Sequence, residues 1–306
     1  MPFDGILPGY PVTWGQKPVQ WAWRMEALHP VARGILRGCA VLMPLWDGRN
    51  GAHDVLHPAE VWTPSSVLQS WQGTSRGMSS GNTSTSFGHF SRSPSRLVTS
   101  AGDGTGDMTI MAMSSARADA GLFTGLIGHA MGGETGQCYL LLNYNAGTVS
   151  GAATFFTHEA ATGSSMVGTN AGLVDGTPHT WLGVRAGTNH TLYADGLSIA
   201  GPSSLTVRDI TPGTDTFLIG IYGTTVGTSV LDPIWLVAVW NRALTDGEAR
   251  FVTRYPFSLI LPRPRYELMV GPVAAPAGGN LFVNLAGSGG LAGTGGLAGV
   301  GGGLVG

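Results

Sequence analysis

The sequence predicts an all-β chain, an antiparallel β-sandwich with one short helix near residues 246–254. Three observations carry this. Residues 177–262 read as a succession of strands, a short helix and a final strand, with turn residues between them. Upstream, apolar runs recur about every 10 to 15 residues, and no helical pattern exceeds three turns. Forty-nine glycines in 306 residues, with only 11% charged side chains, suit a turn-rich β protein.

Taken in order, residues 1–20 form an arm. Pro2, Pro8, Pro11 and Pro18 exclude regular structure, while Phe3, Ile6, Leu7, Tyr10 and Trp14 need covering. Residues 21–27 are extended or a single turn, and 34–46 (GILRGCAVLMPLW) are the first strand. Residues 47–95 are loop-rich, with short strands near 53–56 and 60–62, and 77–88 lie at the surface. Strands are expected at 96–100, 107–114, 121–130, 137–144 and 151–157. Met108 to Met113 show no alternation, so both faces of that strand are buried.

The second half is more explicit. HTWLGVRA (179–186) turns at Gly187-Thr188-Asn189 into 191–194, and Asp195-Gly196 turns that into 197–200. Asp-Gly is a type I′ hairpin signal because both central residues take positive φ. After 217–221, PIWLVAVWN (233–241) is apolar at nearly every position and is covered on both faces. Thr245 and Glu248 form a capping box, Leu244 and Ala249 occupy its staple positions, and Asp246 suits the helix dipole. Pro256 ends the helix.

LYADG (192–196), VAVWNRALTDGEARFVTRYPFSLI (237–260) and HPVARGILRGCAVLMPLWDG (29–48) resemble the closing and opening halves of a laminin-G-like domain of the concanavalin-A-like lectin/glucanase superfamily, of the kind found in bacteriophage structural proteins. The resemblance covers residues 20–262 and implies a concanavalin-A-like jelly roll. It divides the chain into an arm (1–20), a sandwich domain (21–265) and a Gly-rich arm (266–306) that is uncharged from residue 271 on.

A net charge of -2 leaves no electrostatic footprint for nucleic acid or an anionic membrane. No apolar run is long enough to span a membrane, and the N-terminus shows no signal peptide, so synthesis in a host cytoplasm is expected. Cys39 and Cys138 each lie in an apolar strand and read as buried free thiols.

The chemistry of catalysis is not visible. Superfamily members that cleave glycans use paired carboxylates on a strand, since retaining hydrolysis needs an acid and a nucleophile about 5 Å apart. None of the six Glu residues sits in such a pair on an expected strand; Glu248, with Asp246, belongs to the helix start. There is no G-x-S-x-G elbow for a triad hydrolase. His53, Asp54 and His57 (HDVLH) are the dense group of metal-capable side chains and read as an ordinary turn. AGDGTGD (101–107) reads as a solvated turn, with calcium as the one cofactor open to it, as laminin-G-like domains sometimes bind that ion. A glycan platform needs exposed aromatic side chains beside polar groups, and Trp62, Trp71, Tyr144 and Tyr222 lie in or near loops.

Residues 271–306 carry no charge and end in LAGSGG, LAGTGG and LAGVGG, a six-residue period. Ordering glycine is entropically costly, so an ordered tail needs a surface, either its own domain or a neighbour. Leu285, Leu291, Leu297 and Leu304 are its anchors, matched at the other end by Phe3, Ile6, Tyr10 and Trp14. The expected function is a non-enzymatic structural protein on the exterior of a bacteriophage virion. In that role it decorates the capsid, forms a homo-oligomer and is held by its arms to a major capsid or tail protein. The alternative is a carbohydrate-binding module or tail-fibre adhesin that recognises host-surface glycans.

Overall fold

The structure is a computed structural model that describes residues 28, 30–45, 52–57, 61–64, 90–92, 104–115, 124–129, 136–142, 152–159, 163–169, 172–210, 217–220 and 234–260. Its first element is helix α1 (Pro30–Ile35). Strands β1 (Cys39–Pro44), β2 (Ala52–His53), β3 (Val61–Pro64), β4 (Phe90–Arg92), β5 (Met108–Ser114), β6 (Thr124–His129) and β7 (Gly136–Leu142) follow. Then come β8 (Ala153–Glu159), β9 (Gly163–Thr169), β10 (His179–Ala186), β11 (Asn189–Ala194), β12 (Leu197–Ser204), β13 (Phe217–Ile219) and β14 (Ile234–Trp240). Helix α2 (Asp246–Arg254) and a 3₁₀ turn at Pro256–Leu259 close the described part. Every described residue belongs to one compact unit.

The described strands pair antiparallel in two sheets. One has six strands in the order β1-β14-β5-β10-β11-β12, and the other eight in the order β2-β3-β4-β13-β6-β7-β8-β9. An all-β antiparallel sandwich is therefore what this sequence makes. Strands β5 and β14 sit inside the six-stranded sheet with every residue buried, which explains why neither alternates. Val41, Met43, Ile110, Ala112, Trp181, Leu192, Val237 and Val239 face the second sheet, meeting Leu126, Leu140, Phe155, Phe217 and Ile219. The other face, with Leu42, Met111, Leu182, Tyr193, Leu236 and Trp240, is covered by Ala32 and Ile35 of α1, Ala249 and Val252 of α2, and Leu259. From β1 to β11 both faces of this sheet are thus spent on packing, whereas the edge strand β12 is half-buried to exposed.

Local rules appear where the residues dictate them. Asp195 and Gly196 have φ of 49° and 87°, the geometry that a two-residue I′ turn demands. Gly183 on β10 faces Phe155 of the opposite sheet, and an added Cβ would stand 2.5 Å from Phe155 Cδ2. The glycine is what lets the ring reach the six-stranded layer. Helix α2 has the capping box, with Glu248 N donating to Thr245 Oγ1 at 3.3 Å and Thr245 N donating to Glu248 Oε2 at 2.9 Å.

Four expectations need correction. Residues 34 and 35 end helix α1 rather than opening a strand, and strand β1 begins at Cys39. Pro30 fits the first helical turn, where its missing N–H costs nothing, and Ala32, Ile35 and Leu36 share a buried side. The single expected helix is accordingly one of two. Residues 54–56 are a turn, because Asp54 Oδ1 accepts from Leu56 N at 2.9 Å and bends the backbone away from β2. Strands β4 and β9 were not foreseen, and the strand expected at 96–100 lies outside the described residues. No described helix is long and apolar enough to cross a membrane.

Candidate functional site

The acidic and basic groups of the WNRALTDGE stretch are consumed by structure. Arg242 donates through Nη1 and Nη2 to Glu248 Oε2 and Oε1, both at 2.8 Å. It also donates through Nε to Arg37 O at 2.7 Å and through Nη2 to Ile35 O at 3.1 Å, where Trp240 Nε1 donates as well at 2.8 Å. One guanidinium thus joins the carbonyls at the end of α1 to the N-terminus of α2. The Arg242 hydrogen bond is the main reason that the Glu248 carboxyl lies below the usual range, burial working against it.

A second polar group sits at the start of β10. His179 Nδ1 bonds Asp195 Oδ2 at 2.5 Å, and its Nε2 lies 3.2 Å from Asp175 Oδ1 and 2.9 Å from Thr177 Oγ1. Asp195 Oδ1 also accepts from Thr180 N at 2.9 Å. Burial disfavours charge on His179, but the hydrogen bonds and charges of Asp195 and Asp175 outweigh it and raise its pKa above the ordinary imidazole value. Burial likewise pushes Asp175 up, and the bonds from Thr177 and His179 more than reverse it. Ser114 lies opposite His179 in the ladder. With both ring nitrogens held by side-chain oxygens, His179 clamps the hairpin turn and leaves neither nitrogen free to activate that serine.

The metal-capable stretches are also structural where they are described. Asp54 is fully buried; its Oδ1 accepts from Leu42 N at 3.1 Å, closing the free edge of β1, and its Oδ2 meets His57 Nδ1 at 2.9 Å. His53 ends β2, paired with Val61. In the AGDGTGD stretch, Asp107 Oδ1 accepts from Gly187 N at 2.7 Å. The carbonyls of Gly104 and Gly106 accept from the fully buried Arg185 at 2.7 Å and 2.6 Å. Asp103 lies outside the described residues. Among the described residues no three His, Cys, Asp or Glu side chains are grouped to hold a metal ion.

What remains is the solvent side of β8 and β9. Along β8, Ala153 and Phe155 point into the core, so by alternation Thr154, Phe156 and His158 lie on the outer side. The ladder sets Phe156 opposite Met166 and His158 opposite Ser164. The His158 ring stacks on Phe156 with centroids 6.1 Å apart and planes 9° from parallel. His158 Nδ1 bonds Ser164 Oγ at 2.9 Å in an exposed position, and Met166 is 36% exposed beside it. Arg208 buttresses the edge, donating to Ser165 Oγ at 3.1 Å and to Ser164 O at 3.3 Å. Phe156 itself is buried, so what reaches solvent is the Met166 side chain beside the His158 imidazole and the Ser164 hydroxyl.

None of these residues was singled out from sequence. Of those that were, Trp62 falls on β3 opposite Ala52, with only its backbone described. Trp71, Tyr144, Tyr222, Phe3, Ile6, Tyr10, Trp14, Leu285, Leu291, Leu297 and Leu304 lie outside the described residues. Both cysteines are free, Cys138 buried and Cys39 half-buried, in different sheets.

No protein-family model matches the sequence, and no curated protein is similar to it. Solved structures do match in shape. A structure described as a receptor binding domain aligns with a TM-score of 0.52 at 9% identity, over 74% of this chain and 52% of that one. The fold is what they share. At lower similarity stand the CBM40 domain of Ruminococcus gnavus IT-sialidase bound to α2,3-sialyllactose and a heptameric SAP-like pentraxin from Limulus polyphemus. The CBM40 domain matches with a TM-score of 0.39 and 20% identity, over 48% of this chain and 82% of that one. The pentraxin matches with a TM-score of 0.39 and 14% identity, over 57% and 79%.

Proposed function

We propose that this chain is a non-catalytic recognition module that binds carbohydrate through the outer side of β8 and β9. The observation that carries this reading is the Phe156–His158 stack with its exposed hydrogen bond to Ser164. A sugar ring presents an apolar C–H face and a rim of hydroxyls, and this surface offers the exposed Met166 side chain and the imidazole edge backed by the buried Phe156, with two side chains that donate or accept. Beyond its bond to Ser164 and its stack on Phe156, His158 makes no further side-chain hydrogen bond among the described residues, which leaves Nε2 for a ligand. The clamped His179 and the latched Glu248 argue against hydrolysis, because each is committed to a structural partner. A glycan array tests the reading. Saturable binding that His158→Ala abolishes while the fold is retained is the expected outcome; binding indifferent to His158→Ala and Ser164→Ala rejects this surface.

A second reading rests on the uncharged Leu-Ala-Gly repeats and the Pro-rich, aromatic-bearing first twenty residues. In it the sandwich is carried on the exterior of a bacteriophage particle, with the arms as its attachment to capsid or tail protein and to other copies. Deleting 266–306 tests it. Loss of particle association by a domain that still folds supports attachment by the arm, and undiminished association excludes it.

A further inference from the structure

Two polar atoms at the His179 end of the space between the sheets have no partner. Ser114 Oγ and Trp181 Nε1 belong to fully buried residues, and neither makes a hydrogen bond among the described residues. Buried hydroxyls and indole N–H groups are rarely left unpaired, because desolvation is then uncompensated. The ladder shows why no neighbour supplies the bond. Trp181 is flanked by Ala112 and Ala194, and Ser114 by Ile234 and His179. Three of these are apolar, and His179 has both nitrogens bonded to Asp195, Asp175 and Thr177.

The two orphans are close to each other. Ser114 is opposite His179, and Trp181 is two residues further along the same strand, so they are diagonal neighbours on one sheet face. The backbones of such pairs stand about 7 Å apart, and the Trp181 ring lies 5.6 Å from that of His179, the residue facing Ser114, so the indole reaches toward the serine. An indole N–H only donates, so the bridging atom must accept; the serine hydroxyl takes either role. Charge is disfavoured there. The site is enclosed, the Asp195 and Asp175 carboxylates around His179 repel an anion, and Trp181 offers a cation no lone pair.

We infer that this end of the sandwich holds a single neutral oxygen, a water molecule or the hydroxyl of a bound ligand, bridging Trp181 Nε1 and Ser114 Oγ. The site is separate from the β8–β9 surface and does not depend on it. An ordered water at such a position would meet the usual requirement of two or more polar partners.

A crystal structure of the full chain, grown with and without D-galactose as a hydroxyl-bearing probe, tests this. Expected is an isolated oxygen within hydrogen-bonding distance of both atoms. The same oxygen in both crystals assigns it to water, and replacement by a sugar oxygen assigns it to ligand. Its absence from both overturns the inference. In solution, Ser114→Ala, Trp181→Phe and the double variant complete a cycle. A shared bridging oxygen predicts that the double variant loses less denaturant midpoint than the two singles summed, and additive losses overturn it.

Discussion

His179 and His190 lie on neighbouring strands yet respond to protons in opposite ways. His179 is raised by its two carboxylates against the cost of burial, whereas burial foremost, and then the charge of Arg185, depress His190 despite its bond to Thr188 O. An unfolded imidazole titrates near about 6.5. The contribution of His179 is therefore complete below about pH 6.5 and is lost as pH rises through its higher folded value. That of His190 is complete above about pH 6.5 and is lost as pH falls through its lower folded value. Urea midpoints measured across pH are expected to show a flatter alkaline limb for His179→Gln and a flatter acid limb for His190→Gln. Cys138 is a further case, since burial pushes its thiol up to about 12. It should react with a thiol reagent only on unfolding, and labelling at equal rates in native and denatured protein would contradict its placement.

The residues of the proposed binding surface were not legible in the sequence, and the reason is geometric. His158 and Ser164 meet because β8 and β9 pair, and Gly163–Thr169 offers too little apolar alternation to read as a strand. By contrast, the cap of α2 was legible because all its partners lie within five residues of Thr245.

Among elements, the hairpins and α2 followed from local chemistry, while α1 did not. Six residues are too few to show a helical period, and its last carbonyls are held by Arg242, some 200 positions away. Two of the three stretches that carry the laminin-G-like resemblance, 29–48 and 237–260, are thus halves of one latch. Arg242→Lys removes the bidentate bond to Glu248 and most of the carbonyl contacts. It should cost about 2 kcal/mol in denaturant unfolding, as for other charged hydrogen bonds. A loss within a few tenths of a kcal/mol would show the latch to be incidental. The approach of β10 to β8 gives a second test. Gly183→Ala drives a methyl group into Phe155 and is expected to cost about 1–3 kcal/mol. Phe155→Leu in that background should recover part of the loss, which two independent sites would not do.

For the whole molecule, the division of labour between the sheets decides where recognition is possible. From β1 to β11 the six-stranded sheet has both faces covered, one by its partner sheet and one by the helices, while β12 at its edge is half-buried to exposed. Its edges are guarded too. Asp54 closes β1, and on the other side the segment after β12 reaches across to β9, where Ser165 Oγ donates to Thr206 O at 2.7 Å. The outer side of the eight-stranded sheet is where the described side chains present polar and apolar groups together. Sequence alone foretold two layers, because apolar runs and turn residues report burial and chain reversal. Which outer face carries the polar and apolar mixture depends on register across strands far apart in sequence.

The most direct measurement is hydrogen–deuterium exchange of the full chain with and without a glycan that it binds on the array. Binding at β8 and β9 predicts protection concentrated in residues 153–169, lost in His158→Ala. Protection elsewhere with 153–169 unchanged, or release of a cleaved sugar during the incubation, would contradict it.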